Sequence, residues 1–320
     1  MPAKICVKSP WSGAAFWANF VKKEIMRVFI TGASGFIGSA IVKELLSAGH
    51  QVLGLARSDT AAAALTAAGA TVHRGTLEDL DSLKSGATAA DGVIHTAFIH
   101  DFADFKANCE KDRQAIEILG SALIGSDRPL IITSGIGILP SGSLATEDVL
   151  PSSSIPRVAS EQAAAAVAAR GVRVSALRLP PTVHGEGDHG FVPTLIGIAR
   201  EKGVSAYIGD GTNRWPAVHR LDAAHAFRLA LEKGAPHPRL HAVDDEGVAT
   251  RQIAEVIGRH LNLPVVSKSP AEAAAHFGWI GHFFALDIPA SSKQTREWLG
   301  WQPTHPSLLA DLDQGHYFGH

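Results

Sequence analysis

From Met26 onward the chain alternates short runs of aliphatic and β-branched residues with longer, alanine-rich stretches whose apolar positions recur at helical spacing. The pattern predicts strands over residues 27–31, 51–57, 71–75, 92–97, 129–134 and 172–177. Between them it predicts helices over 35–48, 60–68, 105–125 and 156–170, the last with Pro156 in its first turn. Strands joined through helices of this length pair in parallel by right-handed crossovers. The expected fold class is therefore α/β, a doubly wound parallel sheet. Past Leu179 the rhythm is broken by Pro180, Pro181, Gly185, Gly187 and Gly190. Shorter mixed elements follow, with helices at 191–202, 221–233, 250–261 and 271–277 and strands at 217–218, 240–243 and 265–266. The organisation expected is a nucleotide-binding domain over 26–179 and a smaller C-terminal substrate lobe over 180–320, partly interleaved with it.

Composition narrows the class. Of 320 residues 46% are hydrophobic, enough for a large core, and 29 Lys+Arg nearly balance 31 Asp+Glu. A net charge of -2 gives no field that draws the chain to nucleic acid or an anionic membrane. The cysteines Cys6 and Cys109 form no CxxC pair, which points to a reducing, cytoplasmic setting. No apolar run reaches the roughly 18–20 residues of a membrane span. Residues 1–25 read as a poorly ordered extension: the apolar run 14–21 is interrupted by Asn19 and ends in Lys22-Lys23-Glu24, with no small-residue cleavage site.

The first predicted strand runs into Thr31-Gly32-Ala33-Ser34-Gly35-Phe36-Ile37-Gly38 and then into a helix. The first glycine permits the sharp reversal. The second lets backbone N–H groups approach a pyrophosphate, and the third allows close helix–strand contact. The helix N-terminus then presents free N–H groups to the phosphates. Gly32, Ser34, Gly35, Phe36, Ile37 and Gly38 are the expected cradle of a dinucleotide in a Rossmann-type sheet. NAD sites carry an acidic residue at the end of the second strand; here that strand ends Leu55-Ala56-Arg57-Ser58. A guanidinium and a hydroxyl suit a 2′-phosphate, so NADP(H) is expected, with Arg57 and Ser58 on that group.

The spacing Gly-x-x-Gly-x-x-Gly after a threonine resembles the extended and atypical short-chain dehydrogenase/reductases, the group that includes the NAD-dependent epimerase/dehydratases. Further marks follow in order: Ile94-His95-Thr96-Ala97, Thr133-Ser134-Gly135, Arg178-Leu179-Pro180-Pro181-Thr182-Val183-His184-Gly185, and Ala217-Val218-His219-Arg220-Leu221-Asp222-Ala223-Ala224. The resemblance implies that Thr96, Ala97 and Thr133 lie against the cofactor. It puts Gly75-Thr76-Leu77 where the family often has an Asp near the adenine, so a backbone or Thr76 hydroxyl contact has to serve there, with Leu77 against the cofactor. It also implies a small-molecule substrate and a homodimer through helices flanking the sheet.

The same resemblance exposes a departure. The family's Ser/Thr is matched by Ser134, but its Tyr-x-x-x-Lys pair is replaced by Arg157 and Glu161 in Pro156-Arg157-Val158-Ala159-Ser160-Glu161. Tyrosine and lysine together move a proton. An arginine, with a pKa above about 12, does not act as an ordinary general acid. Two readings stand: Arg157 stabilises an oxyanion or clamps an anionic substrate with Glu161 orienting it one turn away, or both are solvated surface charges. Proton-transfer candidates are Ser134, His184, which stands at the tyrosine of the family's Tyr-Gly stretch, and His100.

No metal site is expected, since HExxH is absent and Pro238 separates His237 from His241. Tyr207, Trp215, Trp279, Trp298 and Trp301 all fall after Gly190, and the glycine-rich loop 184–191 joins the two halves. The resemblance places Arg214, Trp215 and His219 near substrate, but an isolated Arg214 makes no nucleotide-sugar diphosphate clamp. The leading expectation is an NADPH-dependent oxidoreductase acting on a small carbonyl, imine or activated double bond, with Ser134 and Arg157 polarising the acceptor and His184 or water giving the proton. Alternatives are an epimerase/dehydratase with internal redox and a non-catalytic NADP(H) sensor.

Overall fold

The computed structural model describes residues 24–101, 103–152 and 154–319. The extension expected over 1–25 lies, as far as Lys23, outside the described residues. The chain opens with strand–helix units: β1 (Arg27–Thr31), α1 (Phe36–Ser47), β2 (Gln51–Ala56), α2 (Asp59–Ala67), β3 (Thr71–Arg74), α3 (Leu80–Thr88), β4 (Gly92–His95), α4 (Phe105–Ser121) and β5 (Leu130–Gly135). A 3-10 turn at Pro156–Val158 leads into α5 (Ala159–Ala168), followed by β6 (Val174–Leu179). The strands are aliphatic because helices cover both faces of the sheet. Val28, Phe29, Ile30, Val93, Ile94, Ile131 and Ile132 are all fully buried.

The remainder comprises β7 (Thr182–His184), α6 (Phe191–Lys202), β8 (Ser205–Ile208), β9 (Arg214–His219), α7 (Arg220–Glu232), β10 (Arg239–His241), β11 (Asp245–Ala249), α8 (Thr250–Leu261), β12 (Val265–Lys268), α9 (Pro270–Phe277), α10 (Gly281–Phe284), α11 (Lys293–Leu299) and α12 (Leu308–Asp313). The main sheet has seven strands in the order β10-β6-β5-β4-β1-β2-β3, every neighbouring pair parallel. This is the expected doubly wound Rossmann-type sheet. Its seventh strand arrives from beyond the Pro180-Pro181 break, and α7 packs on α1 against the same sheet. The lobe adds a three-stranded sheet, β11-β9-β7, and the pair β12-β8 around a core that includes Trp215, Phe277, Phe284 and Leu308.

Several elements have no counterpart in the hydrophobic pattern. The helix α3 buries only Leu83, Gly86 and Ala87, too narrow a stripe to read, although Asp79 caps it through Ser82 N. Strands β7, β8 and β11 run three to five residues, too short for an alternation to show. Among the described residues no helix is long and apolar enough to cross a membrane.

Candidate active site

The strand order reverses at β1, with β2 on one side and β4 on the other. Ligands of such sheets bind in the crevice outside the carboxyl ends of these strands. Gly32 follows β1 with φ +70, a left-handed conformation that disfavours side chains. A Cβ there would sit 2.7 Å from Ala97 N, and one at Gly38 would sit 2.0 Å from Gly32 O. Gly35 gives α1 no side-chain cap, and its first turn holds no acidic residue. The helix therefore aims unpaired N–H groups at the cleft. Gly32, Ser34, Gly35, Phe36, Ile37, Gly38, Arg57, Leu77, Thr96, Ala97, Thr133 and Ser134 all line this cleft, an arrangement that fits a dinucleotide. Ser58 does not line it; its Oγ caps α2 by accepting from Ala61 N at 3.2 Å. Arg57 is exposed and no ion pair engages it among the described residues, while Asp59 pairs with Arg74 at 2.7 Å.

Two buried charge networks form the opposite wall. In the first, the Ser134 hydroxyl donates to Glu161 Oε1 at 2.8 Å. Arg178 grips the same carboxylate with two N–H donors, each at 2.7 Å. Arg178 is fully buried and also donates to Val149 O. His241 donates from Nδ1 to Ser291 O, so its Nε2 accepts from Arg178 at 3.2 Å. Burial and then the Arg178 charge lower the His241 imidazole to about 3.

In the second, Arg157 donates to Asp112 Oδ2 at 2.7 Å and to Thr133 O at 3.2 Å, and also contacts Ser160 Oγ. Ser160 donates to the same carboxylate, and His95 Nε2 reaches its other oxygen at 3.1 Å. His95 Nδ1 meets Thr31 Oγ1 at 2.7 Å, so the network ends directly under the glycine turn. Burial would raise the Asp112 carboxyl, but Arg157 and His95 more than offset it and hold it below its usual value. Arg157 lies 4.2 Å above the Phe98 ring and lines the cleft. His100 lines it too, its imidazole lowered by desolvation and by the Arg157 charge.

These networks correct the surface-charge reading of Arg157 and Glu161 and the pairing expected between them. The residues are not solvated surface charges, and Glu161 does not orient Arg157. Arg157 sits in the 3-10 turn before α5, so the helical i, i+4 geometry never forms. Asp112 from α4 takes the guanidinium instead. A sequence signal for this existed: Cys109, Asp112, Ile116 and Leu119 recur on one helical stripe, and only Asp112 on it is charged.

The expectation that His184 supplies a proton is not met by its position. Side chains alternate along β7, so Val183 faces the cleft and His184 turns away from it. His184 is fully buried with Nδ1 2.8 Å from Asp311 Oδ2. Arg214 is likewise taken up, by Asp287 at 2.9 Å through two nitrogens, and does not line the cleft, whereas Trp215 does. His219 packs between His184 and His305, and burial lowers it to about 4. Tyr317 is pinned by Gly185 N and Asp188 Oδ2, both 3.0 Å away. Among the described residues one trio, His219, Asp222 and His305, brings ligand atoms within 4.8 Å of one another. Its carboxylate already accepts from Thr304 N, His305 N and His305 Nδ1, so the trio reads as a tie for the 304–305 turn.

The family model for the NAD dependent epimerase/dehydratase family matches residues 28–114 and 154–243, which include the glycine turn, Asp112, Arg157, Glu161 and Arg178. The chain belongs to that family. An uncharacterized protein of Schizosaccharomyces pombe is 54% identical over 92% of this chain and 100% of its own length. The sterol-4-alpha-carboxylate 3-dehydrogenase (decarboxylating) of Dictyostelium discoideum is 30% identical, over 70% of this chain and 73% of its own. The dTDP-glucose 4,6-dehydratase from Streptomyces venezuelae, solved with NAD and TYD bound, shares the fold: TM-score 0.72 at 20% identity, covering 91% of this chain and 96% of that one.

Proposed function

We propose that the protein is an NADP(H)-dependent oxidoreductase of the cytoplasm that reduces a carbonyl, imine or activated double bond of a small molecule. The observation that carries this reading is one continuous cleft, running from the glycine turn at Gly32 to Ser134 and Arg157. In this reading the N–H groups at the start of α1 hold the diphosphate, and Arg57 takes the 2′-phosphate. Leu77, Thr96, Ala97 and Thr133 wall the rest of the dinucleotide. When bound, NADPH supplies the hydride.

Ser134 and Arg157 polarise the acceptor atom. Ser134 can turn its hydroxyl from Glu161 to that atom because two Arg178 donors still satisfy the carboxylate. Arg157 contributes a fixed positive field, held in place by Asp112, and keeps its own protons. The proton comes from water in the cleft, since His184 is walled off. The test is NADPH consumption followed by absorbance against aldehydes, ketones, imines and enones. Turnover that falls in Arg157→Ala, with NADPH preferred to NADH in the native chain only and not in Arg57→Ala, supports the reading. Bound NADPH that no acceptor in the panel oxidises overturns it.

A further inference from the structure

The cleft does not end at Ser134. Past Arg157 it continues into the lobe, where Phe191 forms the hub of an aromatic cluster. The rings of Trp215, Trp279 and Phe283 lie 5.4, 5.9 and 5.8 Å from Phe191, and all four side chains line the cleft together with Ile288. Phe98 faces the lobe from the loop after β4, backed by the Arg157 guanidinium. These residues come from α6, β9, α10 and the segments beside them, so no local amphipathic pattern accounts for their convergence. Trp279 keeps 51% of its surface exposed, an unusual exposure for so large an apolar side chain.

The arginines on this side of the cleft already hold carboxylate partners. The Arg157 guanidinium is paired with Asp112, and Arg214 is paired with Asp287 outside the cleft wall. The remaining lining residues able to carry positive charge here are the histidines His100, His189 and His282. A sugar nucleotide brings two phosphates, for which bidentate guanidinium partners are the strongest side-chain match. Nothing among the described lining residues of this half offers that. An aromatic wall with one polar end instead favours a flat, uncharged body with a single polar atom directed at Ser134 and Arg157.

We infer that the substrate is an uncharged aromatic or extended conjugated carbonyl compound, its ring system held by Phe191, Trp279 and Phe283, with the fully buried Trp215 backing Phe191. This rests on the proposed reductase reading for the reaction but not for the binding, and two measurements separate them. The first is calorimetric titration of the protein with NADP+ present, using 2-naphthalenemethanol, 1-propanol and UDP-glucose as probes. Binding of the naphthyl alcohol alone supports the aromatic class even if no turnover is ever found. UDP-glucose binding, or naphthyl alcohol binding no tighter than propanol, overturns it.

The second measurement is turnover of 2-naphthaldehyde against propanal. The native protein is expected to favour the aromatic aldehyde in kcat/KM. Trp279→Ala, at an exposed position where folding is not at stake, should reduce that preference about tenfold, mainly through KM for the aromatic substrate. An unchanged ratio in Trp279→Ala overturns the assignment of this wall, whereas loss of all turnover with binding intact counts against the reductase reading alone.

Discussion

The two walls of the cleft are built from different materials. The cradle is a contiguous backbone segment, Thr31 to Gly38, whose function depends on glycines lacking a Cβ and on helix N–H groups left uncapped. The facing wall is made of side chains drawn from α4, β5, the turn before α5, β6 and β10. There each charge is neutralised by a partner from another element: Arg157 by Asp112, Glu161 by Arg178. A backbone device tolerates most changes in its surroundings. A wall of buried ion pairs changes only in matched sets, because removing one partner leaves the other desolvated and unpaired.

The largest expected effect tests that statement. Glu161→Ala strands the fully buried Arg178 and should cost about 3–5 kcal/mol in urea unfolding. A loss below about 1 kcal/mol would mean that the wall is not held by paired charge. Next comes the cradle: Gly38→Ala forces a Cβ to within 2.0 Å of Gly32 O. It should lower stability by about 1–3 kcal/mol and abolish dinucleotide binding measured by fluorescence titration. A well-bound dinucleotide in that variant would show that close backbone approach is not what the cradle supplies.

Arg57→Ala sharpens the contrast, since it is the one cradle-side contact proposed to act through a side-chain charge. It should weaken NADPH by at least about tenfold while leaving NADH nearly unaffected. Equal loss for both would remove the 2′-phosphate from its role. A last test is acid lability, to which His241 contributes in the charged wall. The unfolded chain protonates His241 near its ordinary value of about 6.5, the native one only at about 3. The stabilisation is therefore complete above about pH 6.5 and is lost as pH falls toward 3, by about 1.4 kcal/mol per unit from this histidine. Unfolding midpoints at pH 7, 6 and 5 should show that slope, and His241→Asn should flatten it.

How much of this was legible follows from the same division. Strand β1 matches its expected bounds, as do α6 and α8, because continuous apolar runs and helical stripes are local properties. The cradle is legible because glycine spacing reports backbone demands directly. The charged wall is not, since the partner of Glu161 lies 17 residues away on a strand and that of Arg157 lies 45 residues away on a helix. His184 was misplaced for a related reason. A match to a motif position says nothing about which face of a three-residue strand the side chain takes, and here Val183 holds the cleft face.

The late arrival of β10 has a consequence for how the molecule is made. A chain emerging from the ribosome has β1 to β6 in hand long before Arg239–His241 is synthesised, and until then β6 is a bare sheet edge. The residues that support His241, Ser291 and Thr295, come later still. The nascent nucleotide-binding half must therefore wait, open along one side, for the segment between it and its last strand to be translated. Stalled or truncated products ending before His241 should be sticky, protease-sensitive species and natural clients of chaperones.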